Sequence, residues 1–202
     1  MSKTKPIIGI STGDPNGIGV EVILKCFSDN RMFDFMTPVV FSNYELVKAQ
    51  AVHFNLKVGL NNLSDFKNLK PNSLNIYEAS KGKFNLDFGK SKESGGQLSR
   101  ESLTTASSFL KIKKIDALVT APINKKNILH ESFDFMGHTD FLNKTFDGEA
   151  MMFMVSQDLK IALLTEHIPI DKITENISKD LIEKKIKTID ISMKKDFGIQ
   201  RP

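Results

Sequence analysis

Residues 6–27 read PIIGISTGDPNGIGVEVILKCF, and this stretch decides the fold class. Pro6 to Ile10 form a short apolar run with the length of a buried strand. Thr12 to Gly19 follow as a turn rich in glycine, proline, aspartate and asparagine, the residues that punctuate a chain. From Val20 to Phe27 the apolar residues return at helical spacing. Strand, glycine loop and helix in that order make the opening unit of a parallel α/β sheet.

The pattern repeats outward from this unit. Pro38 to Ser42 predicts a second strand, and Tyr44 to Phe54 a helix with Leu46, Val47, Ala51 and Phe54 on one face. Asn75 to Glu78 predicts another strand. Lys81 to Gly96 is polar and contains glycine, as loops do. Ser99 to Ile112 predicts a helix carrying Leu103, Ala106, Phe109 and Leu110, and Asp116 to Thr120 a buried strand stopped by Ala121-Pro122. After Pro122 the texture changes. Met151 to Ser156 and Lys160 to Thr165 read as a hairpin. A long helix starts at Ser178, with Ile182, Ile186, Ile189 and Met193 in a stripe and Gly198 as its stop. The expected division is residues 1–122 as a first α/β domain and 123–202 as part of a second.

The 202 residues are 40% hydrophobic and 26% charged, ordinary values for a globular chain with a real core. No apolar run approaches the roughly 18 to 20 residues of a membrane span. The first residues lack the apolar core of a secretory signal. Cys26 is the single cysteine, which excludes an internal disulfide and makes the cytoplasm the expected compartment. Its helical position places it with the apolar residues, as a packed thiol. The net charge of +4 raises nucleic acid as a partner. The lysines alternate with acids, however, as in SKDLIEKKIKTIDISMKKDF (178–197), which reads as a solvated helix face. We expect neither nucleic acid nor a membrane as a partner.

Four motifs carry candidate chemistry. The loop Thr12–Gly19 can hold an anion on backbone N–H groups at a helix start, or can be a tight turn capped by Asp14 or Asn16. Its G-x-x-x-G-x-G spacing is neither the dinucleotide fingerprint nor a Walker loop. Thr120 to Lys126 (TAPINKK) lies at the carboxyl end of a parallel strand, where open α/β sheets place ligands. A lysine there can neutralise a phosphate or carboxylate, or the segment is a polar surface loop. His138 and Thr139 stand just before a short helix and can bond a phosphate or hydroxyl together; Thr139 can equally be a helix cap. His167 follows Glu166 at a strand end, where a histidine binds a metal or is simply buried and hydrogen-bonded. His130 is a weaker loop candidate, and His53 has no assigned role. No HExxH or cysteine–histidine cluster occurs.

In order and spacing, ISTGDPNGIGVE, SGGQLSRESLTTA, ALVTAPINK, GHTDFL and MMFMVSQDLKIALLTEHIPI resemble the 4-hydroxythreonine-4-phosphate dehydrogenase family of vitamin B6 synthesis. The likeness runs from Pro6 to Pro202. It implies a two-domain α/β fold related to the isocitrate and isopropylmalate dehydrogenases, and a homodimer with its active site in a cleft. The implied reaction oxidises the secondary alcohol of a phosphorylated amino acid with NAD or NADP. The β-keto acid then loses CO₂ to leave an aminoketone phosphate. A divalent metal (zinc, cobalt, manganese or magnesium) polarises the oxygen. By the resemblance, His138 and Thr139 bind substrate and His167 is the first of three metal-binding histidines.

The other two histidines of such a family site lie further along, with a substrate-binding lysine, asparagine and arginine. The chain therefore reads as the N-terminal part of such an enzyme, inactive alone, with apolar surface left for a dimer partner or a further fragment to cover. The alternative is a non-catalytic α/β module that binds a phosphometabolite.

Overall fold

The computed structural model describes residues 5–130, 133–135, 137–148 and 150–202. They form two compact units, Met1–Phe146 and Asp147–Pro202.

The first unit is a five-stranded sheet, β1 (Ile7–Ser11), β2 (Thr37–Ser42), β3 (Leu60–Leu63), β4 (Leu74–Glu78) and β5 (Ala117–Thr120). Its order is β3-β4-β2-β1-β5 and every pairing is parallel. Gly9 stands opposite Val39 on one side and Leu118 on the other. Helices connect the strands: α1 (Gly19–Phe27), α2 (Met32–Phe35), α3 (Tyr44–His53) and α4 (Glu93–Lys111), followed after β5 by α5 (Lys125–Ile128) and α6 (His138–Thr145).

Both faces of the sheet are covered, as parallel sheets require. In β2, Val39 and Phe41 enter one apolar cluster with Leu63, Ala106 and Ile115. Val40, between them, enters the other, with Val20, Ile23, Leu24, Leu46 and Val47 from α1 and α3. This period-2 alternation is why β2 is buried throughout. Each fully buried aliphatic side chain contributes about 1.5–3 kcal/mol. A buried hydroxyl group network adds register: Thr12 N–H donates to Ser102 Oγ at 3.0 Å, and Ser102 Oγ–H donates to the Phe41 carbonyl. The serine in α4 thus ties that helix to the ends of β1 and β2.

Several expectations are corrected. The strand 116–120 is not buried: β5 is the sheet edge of this unit, and Val119 is 52% exposed. The loop expected to run to Gly96 ends sooner, because α4 already begins at Glu93. Cys26 is exposed, since Ile23, Leu24 and Phe27 take the buried face of α1. Neither Asp14 nor Asn16 caps α1; Asp14 Oδ1 instead accepts from Asn16 N–H within the loop at 3.0 Å. The segment after Pro122 packs with the first unit, where Ile128, Phe133 and Phe141 cluster with Leu103.

The second unit pairs β6 (Phe153–Val155) with β7 (Lys160–Ala162) as the expected antiparallel hairpin. A short α7 (Ile173–Asn176) and the long α8 (Lys179–Lys195) follow. Ser178 caps α8, its Oγ accepting from Leu181 N–H at 3.1 Å. Gly198 sits at φ +68° just past its end. No described residue of this unit is fully buried; of the expected stripe, Ile186 is 56% exposed. Among the described residues, no helix is long and apolar enough to cross a membrane.

Candidate functional site

The order β3-β4-β2-β1-β5 reverses direction between β1 and β5. At such a switch point the loops leaving two neighbouring parallel strands diverge and open a crevice at their carboxyl ends. Here those loops are the glycine loop after β1 and the Pro122 loop after β5. They are bonded to each other: Asp14 N–H donates to the Pro122 carbonyl at 3.2 Å. Gly13 makes this approach possible. Its φ is +65°, and a side chain there would run into the Pro122 oxygen. Between the loops lies a cavity of about 420 Å³, lined by Asp14, Asn16, Ile18, Lys90, Ile123 and Asn124. Asn16 Oδ1 accepts from Asp87 N–H at 2.9 Å, which brings the segment before α4 to the same rim.

From this crevice the chain runs into α5. Asn124 caps it, its side chain accepting from Lys126 N–H at 3.1 Å and Asn127 N–H at 3.3 Å. α5 is clamped onto α4: Arg100 Nη1 donates to the Ile128 carbonyl at 3.1 Å, and Asn127 Nδ2 donates to the Lys92 carbonyl at 2.6 Å. Gly96 permits the contact, because a side chain there would overlap the Asn127 carbonyl. α6 packs on the same surface through Phe141, which stacks on Phe133 with centroids 5.1 Å apart. Ile128, Phe141 and Leu103 share one apolar cluster, so α5 and α6 are held by the same support.

That support brings Lys125, at the start of α5, beside Gly137 at the start of α6. The Lys125 Cε lies 3.8 Å from where a Gly137 side chain would begin. α6 has no side-chain cap. Thr139 is therefore not the cap the sequence allowed; it is an exposed residue in the first turn. The first N–H groups of a helix carry no intrahelical partners and favour an anion. His138 is half-buried, and its Nε2 has no hydrogen-bond partner among the described residues. Burial, and then the positive charge of Lys125, hold its pKa below the ordinary 6.5. The lysine and the His-Thr pair read from sequence as separate motifs; only the packing of α5 and α6 on α4 unites them.

His167 lies in the second unit. It is exposed, so the alternative of a buried, hydrogen-bonded histidine does not hold. Its φ of +55° places it in the left-handed region, which costs a non-glycine residue roughly 1–2 kcal/mol. Asn55 and Lys113 share this left-handed backbone, so the strain by itself assigns His167 no role. Among the described residues no three histidine, cysteine or acidic side chains gather to hold a metal ion. These residues alone therefore do not fit a complete divalent-metal site. His130, the weaker candidate, makes an isolated bridge to Phe133 beside α6.

Residues 34–202 match the model of the pyridoxal phosphate biosynthetic protein PdxA family. A 4-hydroxythreonine-4-phosphate dehydrogenase of Bacteroides thetaiotaomicron is 31% identical over 204 residues, covering 100% of this chain and 56% of that protein. One from a Sulfurihydrogenibium species is 31% identical, covering 96% of this chain and 60% of its own length. The crystal structure of a 4-hydroxythreonine-4-phosphate dehydrogenase from Burkholderia phymatum superposes with a TM-score of 0.88 at 23% identity. It covers 99% of this chain, which spans 61% of that one, and at this identity it bears on the fold alone. The chain thus spans somewhat over half the length of the relatives it matches. With a family match over residues 34–202, most of its length, the chain belongs to the PdxA family of pyridoxal phosphate biosynthetic proteins.

Proposed function

We propose that these residues form the substrate-phosphate half of an NAD(P)- and metal-dependent 4-hydroxythreonine-4-phosphate dehydrogenase. The enzyme oxidises the secondary alcohol of 4-(phosphooxy)-threonine, and the β-keto acid so formed loses CO₂ to give an aminoketone phosphate. The observation that carries this is the His138–Thr139 pair at the uncapped start of α6, in a chain with family membership across residues 34–202.

His138 and Thr139 hold the substrate. The neutral His138 ring, kept so by burial and Lys125, offers one N–H donor and one acceptor nitrogen. The Thr139 hydroxyl and the first N–H groups of α6 add donors for anionic oxygens. His167 is the residue here that would ligate the divalent metal, completed by ligands from elsewhere. The same reading extends to a two-domain isocitrate-dehydrogenase-like fold, to a homodimer, and to the cytoplasm.

Nicotinamide reduction and CO₂ release from 4-(phosphooxy)-threonine test the function. The 202-residue polypeptide alone is expected to bind this substrate without turning it over. A family-length protein carrying these residues is expected to turn it over only with a divalent metal. If the family-length protein binds the substrate but never reduces the nicotinamide, the oxidative function is wrong, and a phosphometabolite-binding role replaces it. Turnover by the 202 residues alone would overturn the incomplete metal site.

A further inference from the structure

We propose that Lys125 is a third member of the phosphate subsite: its ammonium group faces the start of α6 and pairs with the substrate's phosphate above His138 and Thr139. This rests on the reading of that pair as the substrate contact.

The placement is mechanical. α5 has only four residues, and a helix of that length has little stability of its own. Its orientation is set by the Asn124 cap, by the two carbonyl contacts from Arg100, and by Ile128 buried beside Leu103 and Phe141. α6 is set by Phe141 in the same cluster. Two short helices fixed by one support hold their N-terminal ends at a constant separation. One end carries Lys125; the other carries the uncapped N–H groups, His138 and Thr139.

Lys125 has no ion pair or hydrogen bond among the described residues. Its exposed side chain nonetheless lies over Gly137, where any other residue would place a Cβ 3.8 Å from its Cε. The charge is felt at the site, adding to burial, the larger cause, in disfavouring the His138 imidazolium. In the free protein the ring is kept neutral and so keeps one N–H donor. A bound phosphate dianion would satisfy the ammonium, the ring N–H and the helix start together. Lysine suits a phosphate as a point charge on a flexible stem, with no need for the flat geometry of arginine.

The test is calorimetric binding of 4-(phosphooxy)-threonine, 4-hydroxythreonine and inorganic phosphate to the 202-residue chain and three variants. Lys125→Met should weaken the two phosphate-bearing ligands by roughly tenfold or more, the size of a charged hydrogen bond. It should leave 4-hydroxythreonine unchanged. Lys125→Arg should recover most of the loss, and Lys126→Met, an exposed neighbour, should lose little. Equal phosphate affinity in Lys125→Met and the unaltered chain would overturn the role of Lys125 while leaving His138 and Thr139 standing. An equal loss for the phosphorylated and unphosphorylated ligands would also overturn it, showing a general effect on the loop. If the unaltered chain does not distinguish phosphorylated from unphosphorylated ligand, the reading of the His-Thr pair falls and Lys125 falls with it.

Discussion

His138 is a residue of the candidate site whose chemistry the surroundings change. Burial and Lys125 both disfavour its charged form, so its folded pKa lies below the 6.5 it would have in an unfolded chain. The stability this gives is complete above about pH 6.5 and is lost as the pH falls through that value towards the lower folded pKa. His138→Gln should therefore flatten the decline in stability measured by denaturation between about pH 7.5 and 5.5. Histidine proton NMR should show the His138 pKa rising in Lys125→Met, and rising again when phosphate binds the unaltered protein. A pKa indifferent to both changes would mean the Lys125 charge is not where the geometry puts it. At Gly13 the controlling term is steric. Gly13→Ala faces both a left-handed backbone and the Pro122 oxygen, so it should destabilise by more than about 1 kcal/mol, read as a lowered denaturation midpoint. The glycine was legible in the sequence as part of a turn. Its reason, the Pro122 loop more than a hundred residues later, was not, because only the β1–β5 pairing brings the two together.

At the scale of elements, strands β1, β2 and β4 and helices α1 and α3 could be read because their apolar periods are local properties of the chain. β3 (LNNL) could not: its two asparagines break the apolar run, but Asn62 is exposed and the buried Asn61 is held from β4, its Nδ2 donating to Asn75 Oδ1 at 2.8 Å. The first turn of α4 was hidden for a similar reason. Ser94-Gly95-Gly96 has poor helix propensity, but tertiary contact with α5 overrides it. Gly96→Ala should consequently improve propensity and still destabilise the protein, because the added methyl meets the Asn127 carbonyl. The same substitution should weaken phosphate binding by tilting α5 and its Lys125. A stabilised Gly96→Ala protein with unchanged phosphate affinity would show that α4 does not position α5. The candidate site was legible only as fragments: each motif announced a residue type, and none announced its neighbour.

The two units differ in what holds them. The first has its sheet covered on both faces by apolar clusters, whereas no described residue of the second is fully buried, and Met154, Val155, Leu159, Ile170, Ile186 and Ile191 are each more than half exposed. Local caps remain, such as Ser178 on α8, but a cap is worth only about 1 kcal/mol. An isolated amphipathic helix of this length is marginal in water without packing. Local opening should therefore be far easier in the second unit. Amide hydrogen exchange in α8 and the β6–β7 hairpin should run at least roughly a hundredfold faster than in β1 and β2. This uneven stability bears on function because the proposed phosphate contacts, Lys125, His138 and Thr139, all belong to the first unit, and the proposed metal ligand His167 belongs to the second. Mild urea should then melt α8, seen as lost helical signal, before phosphate affinity falls. If phosphate binding disappeared together with α8, the second unit would be contributing to the subsite directly, and the assignment of phosphate recognition to α5 and α6 would have to be abandoned.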